Sequence, residues 1–172
     1  MTIVFCVSFA RKNTMIFDII TGDDQKVLRE KALPVTVFDD ELKKFVDDMV
    51  ETMLNPGQGG DVTGIGLAAN QIGVLKRVII VTFNVHTKKK HKIVPMINPE
   101  ILELSKSEIS YEEGCLSLPK TFGPVTRPQK VKLRWQNVEG NWCEKKIDGW
   151  DARIFLHEYD HLEGILFTDY DA

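Results

Sequence analysis

The sequence predicts an α+β domain, with antiparallel β-sheets packed around a central helix and one amphipathic helix nearer the N-terminus. Three observations predict it. Short β-branched runs are joined by turn-rich segments, two stretches carry helical periodicity, and no strand–helix–strand unit repeats. A chain of 172 residues is long enough to bury a substantial core as one domain. Its hydrophobic share of 43% and charged share of 27% are those of an ordinary globular protein.

Met15-Ile16-Phe17-Asp18-Ile19-Ile20 reads as a first strand. Ahead of it, the apolar stretch Met1 to Ala10 precedes Arg11 and Lys12, the reverse of the order in a secretory signal. We therefore read residues 1–14 as a dispensable leader and 15–172 as the single domain. From Phe38 to Leu54 the apolar residues Phe38, Leu42, Phe45, Val46, Met49, Val50, Met53 and Leu54 recur at helical spacing. Asp39, Asp40 and Glu41 sit at its start, where the helix dipole favours acids. Asn55-Pro56-Gly57-Gln58-Gly59-Gly60 ends that helix in a loop.

Strands follow at Arg77–Phe83 and Ile93–Ile97, with Lys88-Lys89-Lys90-His91-Lys92 as the solvated tip between them. Lys130-Val131-Lys132-Leu133-Arg134-Trp135 alternates strictly, and Asn137–Asn141 reads as a hairpin turn into a strand at Trp142–Ile147. Asp151 is the expected N-cap of the second helix and Gly164 its C-cap.

Composition excludes some classes. Lys plus Arg number 22 against 25 Asp plus Glu, a net charge of −3, without the basic footprint of a nucleic-acid binder. No apolar run approaches the length of a membrane span. Cys6, Cys115 and Cys143 are odd in number and far apart, which argues against a disulfide framework and for a reducing compartment.

Three segments carry chemistry. In His157-Glu158-Tyr159-Asp160-His161 the i, i+4 spacing puts two imidazoles on one helix face, able to share a divalent ion, with Glu158 beside them to work on water. One class of zinc peptidases follows this helix with Gly and then a third His. Gly164 is present here, but Phe167 occupies the His position, leaving Asp169 and Asp171 as the strong downstream donors. Upstream, Glu113-Gly114-Cys115-Leu116-Ser117 offers Cys115 in a tight loop. Cys143 lies in an alternating strand and reads as packed. Gly64-Ile65-Gly66-Leu67-Ala68-Ala69-Asn70-Gln71 allows close backbone approach to a ligand, and Gln71 brings a donor and an acceptor. A phosphate loop is excluded, since no third Gly, Lys-Ser/Thr pair or preceding strand completes that pattern.

Together, residues 64–71, 113–117 and 157–161 closely resemble the peptide deformylase family, whose motifs GxGxAAxQ, EGCLS and HExxH come in this order. The resemblance runs from about Met15 to Tyr170, through echoes such as Val27-Leu28-Arg29 and Ile97-Asn98-Pro99-Glu100. It implies a metal-dependent hydrolase that removes the formyl group from formyl-methionyl nascent peptides and releases formate. Cys115, His157 and His161 would be the metal ligands, with water in the fourth position, and Glu158 the acid/base. Gln71 and the backbone N–H of Leu116 would hold the formyl oxygen. The resemblance favours Fe²⁺, with Zn²⁺, Ni²⁺ or Co²⁺ as alternatives that suit a thiolate-containing site. Gly64, Ile65, Gly66, Tyr111, Leu116 and Ile154, adjacent to the motifs, are candidates for the methionine pocket, and Glu113 and Asp160 for orienting the ligands.

The same resemblance implies formylated nascent chains as partners, transient ribosome contact, no nucleic-acid or membrane site, a monomer, and the cytoplasm or the equivalent compartment of an organelle. Three departures stand out. Leu156 replaces a common Gln, Phe122 stands where some relatives carry Arg near the substrate backbone, and the chain stops at Ala172 where many bacterial members continue into a helix. The alternatives are a zincin-type metallopeptidase and a non-catalytic, metal-stabilised binder of formylated peptides.

Overall fold

The structure, a computed structural model, describes residues 14–56 and 63–170. The expected leader therefore lies, except for Thr14, outside the described residues, as do Cys6, Asp171 and most of the loop at 55–60. The mixed α+β architecture matches the expectation. Strands β1 (Gly66–Ala68), β2 (Val78–Phe83), β3 (Lys92–Leu104), β6 (Lys130–Gln136) and β7 (Trp142–Asp148) form one antiparallel sheet in the order β1-β2-β3-β6-β7. Strands β4 (Glu108–Cys115) and β5 (Leu118–Pro128) form a separate antiparallel pair.

Two helices cover the large sheet. Helix α1 (Asp40–Leu54) packs Leu42, Val46, Met49, Val50 and Met53 against Val78, Ile80 and Ile97. Helix α2 (Gly149–Leu162) packs Ala152, Ile154, Phe155 and Leu162 in one cluster with Ile79, Val81, Phe83, Val131 and Leu133. Alternate residues of β2 thus join opposite cores, which is why Val78 to Phe83 reads as an unbroken apolar run. Strand β6 buries only Val131, Leu133 and Trp135, which is why it alternates.

Several boundaries differ from expectation. Asp39 caps α1, accepting from the Leu42 N–H at 2.9 Å, a contact worth about 1 kcal/mol. The second helix begins three residues earlier than the Asp151 cap allows. Asp148 is its N-cap, and Asp151 in the first turn instead accepts from the Asn84 N–H at 2.8 Å, pinning the β2–β3 hairpin to the helix. Glu163 is the C-cap and Gly164, with φ +74°, follows it in the left-handed conformation that favours glycine. The expected strand at Met15–Ile20 does not form. Its backbone is laced to side chains and loops rather than to a strand edge. Met15 N–H donates to Asp48 (2.7 Å), Phe17 N–H to Thr52 (3.0 Å) and Ile20 N–H to the Gln71 carbonyl (2.8 Å).

Strands β4 and β5, absent from the expectation beyond a tight loop, hold the upstream half of the site. Cys115 pairs with Leu118, so Leu116 and Ser117 make the two-residue turn between them. No helix among the described residues is long and apolar enough to cross a membrane.

Candidate metal centre

Helical spacing on α2 and the end of β4 bring three donors together. One ligand atom each from Cys115, His157 and His161 lies within 4.8 Å of the others, and Cys115 Sγ is 3.3 Å from His161 Nε2. Neither Cys115 nor Cys143 is in a disulfide. Asp169, the downstream carboxylate within the described residues, is engaged elsewhere, with Arg29 (2.5 Å) and the Leu166 N–H (2.8 Å), in keeping with a third donor from upstream. Phe167 is buried with its ring stacked 6.2 Å from that of His157.

Residues 109, 111, 113 and 115 share one face of β4 because side chains alternate along a strand. That register points Glu113 at α2, where its Oε2 is 2.9 Å from His157 Nδ1. The other partners of this carboxylate are arginines. Arg127 Nε donates to Oε1 at 2.7 Å and Nη2 to Oε2 at 3.0 Å, while Arg153 Nη1 donates to Oε1 at 2.5 Å. Burial alone would raise the Glu113 pKa, but the hydrogen bonds from His157 and Arg127 and the Arg127 charge outweigh it and bring it to about 2. An ionised carboxylate only accepts, so the proton between them sits on His157 Nδ1, and Nε2 is the nitrogen a metal would take, displacing the proton it carries.

The His157 pKa is likewise a balance. Burial would lower it, yet hydrogen bonds to Cys115 and Glu113, with the charge of Glu158, carry it up to about 10. Burial drives that of His161 well down. A half-buried thiol beside two imidazoles, one oriented by a carboxylate, is a donor set suited to a divalent Fe²⁺- or Zn²⁺-like ion. The buried Nδ1 of His161 has no protein partner.

Glu158 is 5% exposed, its Oε2 has no protein partner, and burial pushes its pKa up to about 7. It lies directly against Gly66. A Cβ there would meet Glu158 Oε1, with Cδ at 2.7 Å and Cγ at 2.8 Å. Gly66→Ala is therefore expected to displace Glu158 and cost about 10²-fold in turnover, the typical effect of an ångström-scale misplacement. A steady-state rate within twofold of the parent would show that the carboxylate tolerates the shift.

Gln71, 1% exposed, has its amide fixed from both ends. Oε1 accepts from the Ala68 N–H at 2.8 Å, which turns Nε2 towards Cys115 Sγ (3.4 Å) and Ser117 Oγ (3.2 Å). Leu116 packs partly buried against the α1 core, and its Cδ1 lies 3.1 Å from where a Cβ on the buried Gly64 would be. Ile65 is 39% exposed between Gly64 and Gly66. Tyr111 is also exposed, stacked 5.2 Å from Trp150, whereas Ile154 is packed in the α2 core. Leu156 is buried in that core too, and Phe122, 66% exposed, lays its ring against Gly114. Asp160 accepts from Arg127 at 2.7 Å and from the Tyr170 hydroxyl at 2.9 Å. Arg127, Arg153 and Tyr170 are parts of the site that sequence reasoning missed, since they lie outside its motifs: strand register brings in Arg127, the turn of α2 before His157 brings in Arg153, and Tyr170 follows the last helical turn.

A family model described as polypeptide deformylase matches residues 16–171. A peptide deformylase of Rickettsia prowazekii (strain Madrid E) is 42% identical over 159 residues, covering 90% of this chain and 87% of that protein. Among solved structures, peptide deformylase from Thermotoga maritima aligns with a TM-score of 0.81 at 38% identity, over 91% of this chain and 98% of that one. A class I type b peptide deformylase from Acinetobacter baumannii, bound to Met-Ala-Ser, aligns with a TM-score of 0.82 at 35% identity, over 92% and 100%.

Proposed function

The chain belongs to the polypeptide deformylase family, an enzyme family, and on that premise we propose that it hydrolyses the formyl group from the N-terminus of formyl-methionyl nascent peptides, with residues 15–172 as one catalytic domain. The observation that carries this reading is the convergence of Cys115, His157 and His161 beside the buried Glu158 carboxyl and the fixed Gln71 amide. A divalent ion held by those three residues, Fe²⁺ by preference and Zn²⁺, Ni²⁺ or Co²⁺ as substitutes, would supply the Lewis acidity that brings the pKa of water towards 7.

The protein's own groups do the rest. Glu158 takes the proton of the attacking water and later delivers it to the leaving amine nitrogen, which is the work of a buried carboxyl with a pKa near neutrality. Gln71 Nε2 and the Leu116 N–H donate to the oxygen of the formyl group as negative charge develops on it. Because Gln71 Oε1 is held by Ala68, the amide meets that oxygen with its NH₂ and without reorganising. Gly64 and Gly66 let the substrate backbone approach, and Ile65, Tyr111, Leu116 and Ile154 are our choice for the wall against the methionine side chain. The Met-Ala-Ser bound to the Acinetobacter relative supports a methionyl peptide as the ligand class.

A zincin-type peptidase is the weaker reading, since Phe167 is buried apolar packing and Asp169 is committed to Arg29. Mass spectrometry of a metal-reconstituted digest separates the two. Loss of only the formyl group from a formyl-Met peptide is the expected result, and internal cleavage fragments would favour the peptidase.

A further inference from the structure

Arg153 lies one helical turn before His157, 4% exposed, yet neither the proposed chemistry nor any motif employs it. Its guanidinium makes three hydrogen bonds across the gap between α2 and the β4–β5 pair. Nη1 donates to Glu113 Oε1 (2.5 Å) and to the Val125 carbonyl (3.0 Å), and Nη2 donates to the Ile109 carbonyl (2.6 Å). The Tyr111 ring lies over it, 5.1 Å from Cζ. Four donors therefore meet the four lone-pair directions of Glu113. Arg127 contributes two, Arg153 one and His157 Nδ1 one. With that carboxylate fully committed, it has one position and the His157 ring has one orientation.

We propose that Arg153 is a positioning residue for the metal centre, acting through Glu113 to lock the His157 imidazole in the orientation that offers Nε2 to a divalent ion. Arg127 references the carboxylate to Asp160 on α2 itself, not to the backbone of the strand pair. Arg153 ties the same oxygen to the β4 and β5 backbone and so sets the distance between the helix that supplies two ligands and the strand that supplies the third. Its planar fork is required, since a lysine ammonium at this place cannot span Glu113 and two carbonyls in the same geometry.

The inference rests on the metal-site reading but not on the reaction, so its test is metal binding. Zn²⁺ affinity by chelator competition, the visible spectrum of the Co²⁺ form and thermal unfolding would be measured on the full chain carrying Arg153→Met, with Arg153→Lys as the variant that keeps the buried charge if the Met chain does not fold. The expected result is a loss of about 10–100-fold in Zn²⁺ affinity with an altered Co²⁺ spectrum, the usual cost of removing a partner that orients a ligand. Glu113→Gln should lose affinity similarly, and adding the Arg153 change to it should cost little more, because both act along one path. Parent-like affinity and spectrum in a folded Arg153 variant, whatever its melting temperature, would make Arg153 a purely structural tie and overturn the proposal. Full additivity with Glu113→Gln would also overturn it.

Discussion

Glu158→Ala is expected to keep its metal and lose about 10²–10⁴-fold in deformylation rate, the range that a positioned acid/base contributes. The basis is local. The carboxyl is buried, adjoins the first histidine of the pair and is packed against the backbone at Gly66. Removing it leaves Cys115, His157 and His161 in place, because none of them hydrogen-bonds to Glu158. Metal content by elemental analysis and formate release on the same preparation check both halves. A rate close to the parent's would remove Glu158 from the chemistry, and loss of the metal would make it part of the binding site instead.

Cys115→Ser is expected to weaken metal binding by more than the ~10–100-fold that loss of an outer partner costs, because on the proposed reading it replaces a directly coordinating group. A serine hydroxyl is a poor substitute for a thiolate towards Fe²⁺ or Zn²⁺. Cys115 Sγ also faces His161 Nε2 at 3.3 Å and Gln71 Nε2 at 3.4 Å, so the same change loosens the contact that aligns the amide. The fold should persist, since Cys115 ends a strand whose turn is closed by Leu118. Chelator competition gives the affinity, and unchanged binding would take Cys115 out of the site.

How much of this was legible in the sequence depended on whether a residue's neighbours are set by local spacing or by strand register. The α1 helix, the β2 run and the alternation of β6 all followed from apolar pattern, because in each the buried face is mainly apolar. The β4–β5 pair escaped the same pattern for a physical reason. The inward positions of β4 include Glu113 and Cys115, and β5 buries Arg127 and carries Pro119, Gly123, Pro124 and Pro128, so functional and edge-tolerant residues replaced the hydrophobic signal. The missed N-cap at Asp148 is a smaller instance, where Asp151 offered the same residue type and turned out to hold the neighbouring hairpin.

The site divides in the same way. His157, Glu158 and His161 are one turn of one helix and so were readable from spacing. That Cys115 meets them, that Gln71 turns its amide to Ser117, and that Arg127 and Arg153 share Glu113 all depend on contacts across 14 to 46 positions in the chain. Family motifs supplied Cys115 and Gln71 to the reading. No motif marked the arginines, whose charge would by itself suggest a solvated surface.

The most direct measurement is formate release from a formyl-Met peptide by protein purified anaerobically and reconstituted in parallel with Fe²⁺, Ni²⁺ and Zn²⁺. Release that a chelator abolishes and Fe²⁺ restores is the predicted result. No release with any of the three, despite one equivalent bound per chain, would contradict the account and leave a site that holds metal without turning over.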